Sequence, residues 1–194
     1  MPGPSASAFV GLKDLYFALL TKDDSTGATY DTPQKLAPAV TARITPQVES
    51  VTDYADDGPT ETASSLGGIE VELEVSQIPL DKQAVLLGHQ YQNGLLVRSA
   101  NDVSPYVALG FRSQKADGSY LYVWLYKGKF QPVEINLATK GENVEFQHPT
   151  IQGTFVKRDF DDLWMISGDS SDENFTLGST WFDAVVEPGS GGGS

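Results

Sequence analysis

The alternation of apolar and polar positions makes this chain mostly strand. Residues 39–45 alternate, and residues 69–75 alternate without a break: Ile69, Val71, Leu73 and Val75 point one way, and Glu70, Glu72 and Glu74 the other. Residues 16–21 form a short apolar run that ends in the polar turn residues 22–27. Residues 106–113 and 120–130 are aromatic-rich strand candidates, and the Asp117-Gly118 pair between them is a strong hairpin signal. Residues 150–158 and 163–167 read as a second hairpin, turned at 159–162. One helix is predicted over 79–87. Pro79 suits its first position, Gly88 the position past its end, and Leu80, Ala84 and Leu87 share a face. A second short helix is expected near 179–186. Many strands with one or two helices predict a mainly β (α+β) domain built on a sandwich or barrel.

The strand over 120–126 is apolar on both sides. Tyr120, Tyr122, Trp124 and Tyr126 share one face, and Leu121, Val123 and Leu125 the other. Such a strand is either central in a layered core or covered by another subunit, and both readings stay open here.

Residues 1–8 are small and rich in Pro, Gly and Ser, which predicts a mobile segment. Residues 189–194 read as a Gly/Ser linker or tag. A single domain is expected over 9–188. Within it, residues 40–78 stand apart: eight acids, one base (Arg43) and one aromatic (Tyr54). That is net −7, against −13 for the whole chain of 194 residues. Strand-like ends around a polar centre predict a long acidic hairpin, an arm with a flexible tip over 53–68. An isolated hairpin is marginal in water, so this one needs neighbours. The glutamate row is either an ordinary solvated face or, with several subunits, the lining of a water-filled channel.

Composition removes most other chemistry. The 40% hydrophobic content suffices for a core, and no apolar run approaches the ~20 residues of a membrane helix. With no cysteine, disulfides and thiolate metal sites are excluded, and a reducing compartment is compatible. The acidic balance repels nucleic acid. Tyr54-Ala55-Asp56-Asp57 resembles a paired-aspartate metal motif, but its flanks are polar loop. Asp159, Asp161 and Asp162, and likewise Asp169, Asp172 and Glu173, lack the spacing of a calcium loop. No phosphate-cradling loop or nucleophile elbow is present, and neither His89 nor His148 has an acidic or serine partner in a known pattern. No enzyme, cofactor or metal is expected.

Four blocks then carry a resemblance: VGLKDLYFALLTKD (10–23), YADDGPTETASSLGGIEVELEVSQIPLDKQAVLLGH (54–89), NDVSPYVALGFRSQKADGSYLYVWLYKGKF (101–130) and PTIQGTFVKRDFDDLW (149–164). In consistent order from about residue 10 to 188, the chain resembles the phi13-type major tail protein of siphophages of Gram-positive hosts. The resemblance implies a structural virion protein without catalytic residues. It implies a tail-tube β-sandwich or barrel with one flanking helix (79–88) and a long hairpin (40–78). It further implies six subunits per ring, rings stacked into a non-contractile tube around a tape-measure protein, tail terminator and baseplate partners, and genomic DNA passing through the lumen without specific binding. The subunit would be made and assembled in the host cytoplasm. On this reading Glu70, Glu72, Glu74 and Glu49 are expected to line the lumen. Asp53, Tyr54, Asp56, Asp57 and Glu61 are expected to touch a neighbouring subunit or ring. The competing expectation is a baseplate or receptor-contacting β-module that binds carbohydrate.

Overall fold

The computed structural model describes residues 6–55, 58–133 and 148–189. Residues 1–5 of the expected mobile segment, Asp56, Asp57 and residues 190–194 lie outside them. The elements in chain order are β1 (Phe9–Asp24), β2 (Gly27–Tyr30), β3 (Gln34–Lys35), β4 (Ala39–Ala55), β5 (Gly58–Val75), α1 (Leu80–Leu87), β6 (Gln90–Gln92), β7 (Leu95–Val97), β8 (Val107–Lys115), β9 (Tyr120–Phe130), β10 (Thr150–Val156), β11 (Met165–Asp169) and a 3-10 turn at Leu177–Ser179. One antiparallel sheet runs in the order β2-β1-β8-β9-β10-β5-β4, with β3 added to β1 and β11 to β9. β6 and β7 form a separate two-stranded sheet. The expected mainly β sandwich with one flanking helix is the observed fold.

The large sheet curls on itself because its strands carry apolar faces too wide to leave in water. Ile69, Val71, Leu73 and Val75 of β5 are buried against Phe17 of β1, Val107 and Leu109 of β8, and Val123 and Leu125 of β9. Leu86 and Leu87 of α1 join this core. β4 returns close to β1 without pairing to it, so the curled sheet stays open between them.

β9 is the strand that both layers share. Its Leu/Val face lies in the main core, and Tyr122, Trp124 and Tyr126 on its other face form a second core with Trp181, Val185 and Val186. The covering segment comes from the same chain. Trp124 Nε1 donates to the Trp181 carbonyl (3.0 Å), and the Tyr126 hydroxyl donates to the Val186 carbonyl (2.9 Å). Tyr122, Phe175 and Trp181 sit with ring centroids 5.3–5.6 Å apart, within the range of favourable aromatic pairs. Of the two readings of residues 120–126, the central core strand is therefore correct.

Several local expectations shift. β1 begins at Phe9 instead of residue 16, because β8 pairs along nearly its whole length. The pairing absorbs two one-residue irregularities, one of them at Asp14, which adopts φ 53° and binds Arg112 and Lys35. Residues 150–158 and 163–167 do not pair with each other as a hairpin. The turn closes through the Arg158 N–H to the Leu163 carbonyl, but β10 and β11 then run end to end along one edge of β9. No helix forms over 179–186, where wide aromatic anchors replace helical packing. In α1, Pro79 stands just outside the helix with ψ 144°, and Gly88 ends it at φ 72°. Its buried residues are Gln83, Ala84, Leu86 and Leu87, so Leu80 of the predicted face is exposed. His89 does have an acidic partner: its Nδ1 lies 2.6 Å from Asp102 Oδ2.

Candidate functional site

The site is built on the alternation of β5. The inner row of four apolar residues is essentially inaccessible, and each such side chain contributes about 1.5–3 kcal/mol through burial. The outer row sets Glu70, Glu72 and Glu74 about 7 Å apart. At that spacing, like charges in water repel by roughly 0.6 kcal/mol per pair. Burial wins, so the carboxylates are held in a row by the residues behind them.

Glu70 and Glu72 are exposed and Glu74 is half-buried. Their cross-strand partners are Thr45, Arg43 and Thr41 on β4, and Thr154, Gln152 and Thr150 on β10. Directly opposed residues share a face. The polar face therefore has three rungs: Thr45-Glu70-Thr154, continued to Lys129 on β9; Arg43-Glu72-Gln152; and Thr41-Glu74-Thr150. The Thr41 hydroxyl donates to Glu74 Oε2 at 3.2 Å, and Gln152 Nε2 donates to Glu72 Oε2 at 3.3 Å. A shallow cleft runs over Arg43, Thr45, Glu70, Glu72, Gln152 and Thr154. The face is acidic along its middle strand and buffered by hydroxyl, amide and cationic groups on both sides. The alternation of residues 39–45 and 150–155 was the available signal for these flanking residues.

Beyond Ile69 the two strands leave the sheet. β10 stops pairing with β5 at Phe155 opposite Ile69, and the β4–β5 register shifts between Pro46 and Val48, opposite Gly67 and Gly68. Those glycines mark the root of the arm. β4 and β5 continue as a pair to Ala55 opposite Gly58, so strand occupies most of the stretch expected to be a tip. Glu49 is opposite Ser65, Asp53 opposite Glu61, and Tyr54 opposite Pro59. The side chains of residues 49–64 lie outside the described set. The outer edge of β4 has no pairing strand among the described residues.

Five of the six acids weighed as calcium ligands have other partners. Lys127 Nζ lies 2.8 Å from Asp159, Arg158 Nη2 lies 2.6 Å from Asp161, and Lys157 pairs with Asp162. Asp169 pairs with Lys115, and Asp172 accepts from the backbone N–H of Asn174. Charge pairs that the sequence did not reveal lie behind them. Asp23 accepts from Lys127 and from the N–H groups of Asp159 and Phe160.

Comparison with known families gives the class of the protein. The profile described as phage tail tube protein matches residues 8–189. The chain belongs to the phage tail tube protein family. No curated protein sequence matches it. As a tail tube protein it is a structural component and no enzyme, its place is the virion tail, and its family assembles into a tube of its own copies.

Proposed function

We propose that this tail tube protein forms stacked hexameric rings of a long non-contractile siphophage tail, with the polar face of β4, β5 and β10 turned to the lumen. The observation that carries this reading is the row Glu70, Glu72 and Glu74, held in place by a buried row directly behind it. The free edge of β4 supports it. An unpaired edge is a liability in a monomer and a template for a neighbour's strand, and closing a barrel removes it. The arm, with Glu49, Asp53, Tyr54, Asp56, Asp57 and Glu61, reaches a neighbouring subunit or ring and is ordered there. Residues 9–188 act as one tube-forming unit, followed by a Gly/Ser segment. Tape-measure protein fills the lumen before ejection, and terminator and baseplate proteins close the ends. Assembly takes place in the host cytoplasm.

DNA carries about one negative charge per 1.7 Å of axis. Carboxylates repeated along a lumen repel it and offset the two cations of the face, Arg43 and Lys129, while the neighbouring Thr and Gln side chains keep the wall wetted. The acidic row thus lets the genome pass without holding. Tails assembled with Glu70, Glu72 and Glu74 all changed to Lys should eject DNA more slowly or stall. Unchanged ejection kinetics in such tails would refute a luminal role for the row.

A further inference from the structure

A second surface stands apart from the polar face. α1, the β6–β7 sheet and the following loop form a lobe that, among the described residues, is joined to the large sheet by no strand pairing. α1 lies against both β6 and β7. On this lobe Leu95 is 68% exposed, Val97 56% and Val103 72%. Leu95 and Val97 lie two apart on β7 and so share a face, opposite Gln92 and Gln90. Leu95 and Val97 are adjacent on one face of β7, with Val103 a third open aliphatic group on the loop of the same lobe, and an exposed apolar surface of this kind is what interaction sites use.

The lobe is also held in shape. His89 at the end of α1 binds Asp102, which accepts from the Ser99 N–H as well (2.7 Å). Arg98 donates to Gln83 on α1 (3.1 Å), and Gln83 donates to the Ile78 carbonyl (2.8 Å). A Cβ on Gly88 would stand 2.3 Å from the Val103 carbonyl oxygen, so the loop at Val103 sits directly on the helix end. Exposed apolar groups on a fixed frame lose little freedom when a partner arrives.

Charge selects the partner. Residues 78–106 contain two acids, Asp81 and Asp102, and two bases, Lys82 and Arg98, so this stretch is neutral within a chain of net charge −13. A second, equally acidic copy meets less repulsion here than the net charge of the chain imposes on average. Tube growth from one chain requires contacts between unlike patches of that chain. We propose that this lobe, through Leu95, Val97 and Val103, is a contact surface for a second copy of the same chain in the tube. The inference rests on the family's assembly into a tube and is independent of which face lines the lumen.

The chain contains no cysteine, so Leu95→Cys introduces a single thiol at an exposed position. Tubes grown from this variant alone contain no other protein that could cover it. The thiol should react with a maleimide roughly tenfold or more slowly in tubes than in monomers, as expected for the desolvated centre of an interface. Leu95→Asp should raise the concentration needed for tubes by roughly tenfold, with the monomer's thermal midpoint unchanged, because the site is exposed before assembly. Equal maleimide rates in tubes and monomers would place the lobe on the open outer wall and overturn the contact, leaving the tube reading intact. A wild-type chain that forms no tubes under any condition would overturn both.

Discussion

Arg158 grips Glu187 with two parallel hydrogen bonds, Nη1 to Oε1 and Nη2 to Oε2, each 2.7 Å long. The same guanidinium binds Asp161, lies 3.9 Å from the centre of the Tyr126 ring, and is fully inaccessible. It ties the turn between β10 and β11 to the end of the segment that covers Trp124 and Tyr126. Burial opposes its charge, but the two carboxylates outweigh that and hold its pKa above the usual value. Arg158→Ala should cost about 3 kcal/mol in chemical denaturation, the low end for breaking a buried pair because both carboxylates stay partly solvated. Arg158→Lys should recover only part of this, since one ammonium cannot reproduce the fork. An unchanged denaturation midpoint for Arg158→Ala would show that the covering segment holds without it.

Gly128 is required by its neighbour. A Cβ there would lie 2.3 Å from the Phe155 ring, and a ring cannot yield as a flexible chain end would. Gly128→Ala should destabilise the monomer by about 1–3 kcal/mol, as overpacking does. Gly11→Ala is the control: nothing lies within 4 Å of its Cβ position, so its midpoint should match the wild type.

Acid should loosen the buried charge pairs in a defined direction. Burial raises the Asp23 pKa, but the N–H of Asp159, Lys127 and the N–H of Phe160 lower it by more, so it sits below the ordinary carboxylate value. Arg158 likewise draws the Asp161 pKa down. Both carboxylates bind protons more readily in the unfolded chain. Their contribution is therefore complete above about pH 4 and is lost as pH falls through the depressed native values. Stability measured from pH 7 downward should drop below about pH 4, and Asp23→Asn should flatten that drop while costing about 1–3 kcal/mol at pH 7. An acid limb that is identical in Asp23→Asn would assign the loss to other groups.

The arm should matter for assembly and little for the monomer. Beyond Ile69, β4 and β5 pair only with each other among the described residues. Replacing residues 53–65 by a two-residue turn should leave a soluble monomer with an unchanged thermal midpoint and no tubes. Residues 47–66 carry five acids and no base, so raising salt should promote wild-type tubes as the screening length shortens from about 10 Å at 0.1 M to about 3 Å at 1 M. Normal tubes from the shortened chain, read by negative-stain microscopy, would remove the arm from assembly.

What could be read in advance follows from the range of the forces involved. β9 was legible to the residue, because its alternation, aromatic content and the Asp117-Gly118 turn are local signals. The glutamate row was legible for the same reason. The start of β1 was not, since its partner β8 lies about a hundred residues further on and Phe9 pairs with Lys115. The turn at 159–162 was correctly placed, yet turn chemistry cannot say that the strands on either side will both choose β9. His89 and Asp102 belong to no recurring pattern and meet only because α1 and the following loop fold back together. No local signal marks Arg158, and only the arrival of Glu187 and the Tyr126 ring makes it a buried charge.

The sharing of β9 bears on how the subunit is made. Its two partners on one edge are residues 150–156 and 165–169, and its aromatic face waits for Trp181, Val185 and Val186. All of these leave the ribosome after β9 itself, and the pairing is dominated by distant stretches, which slows closure. A polypeptide that stops early has its central strand stripped on an edge and on a face. Completeness of synthesis thereby becomes a condition of folding, and a polymer built from many identical pieces excludes its unfinished ones before they can reach the growing end.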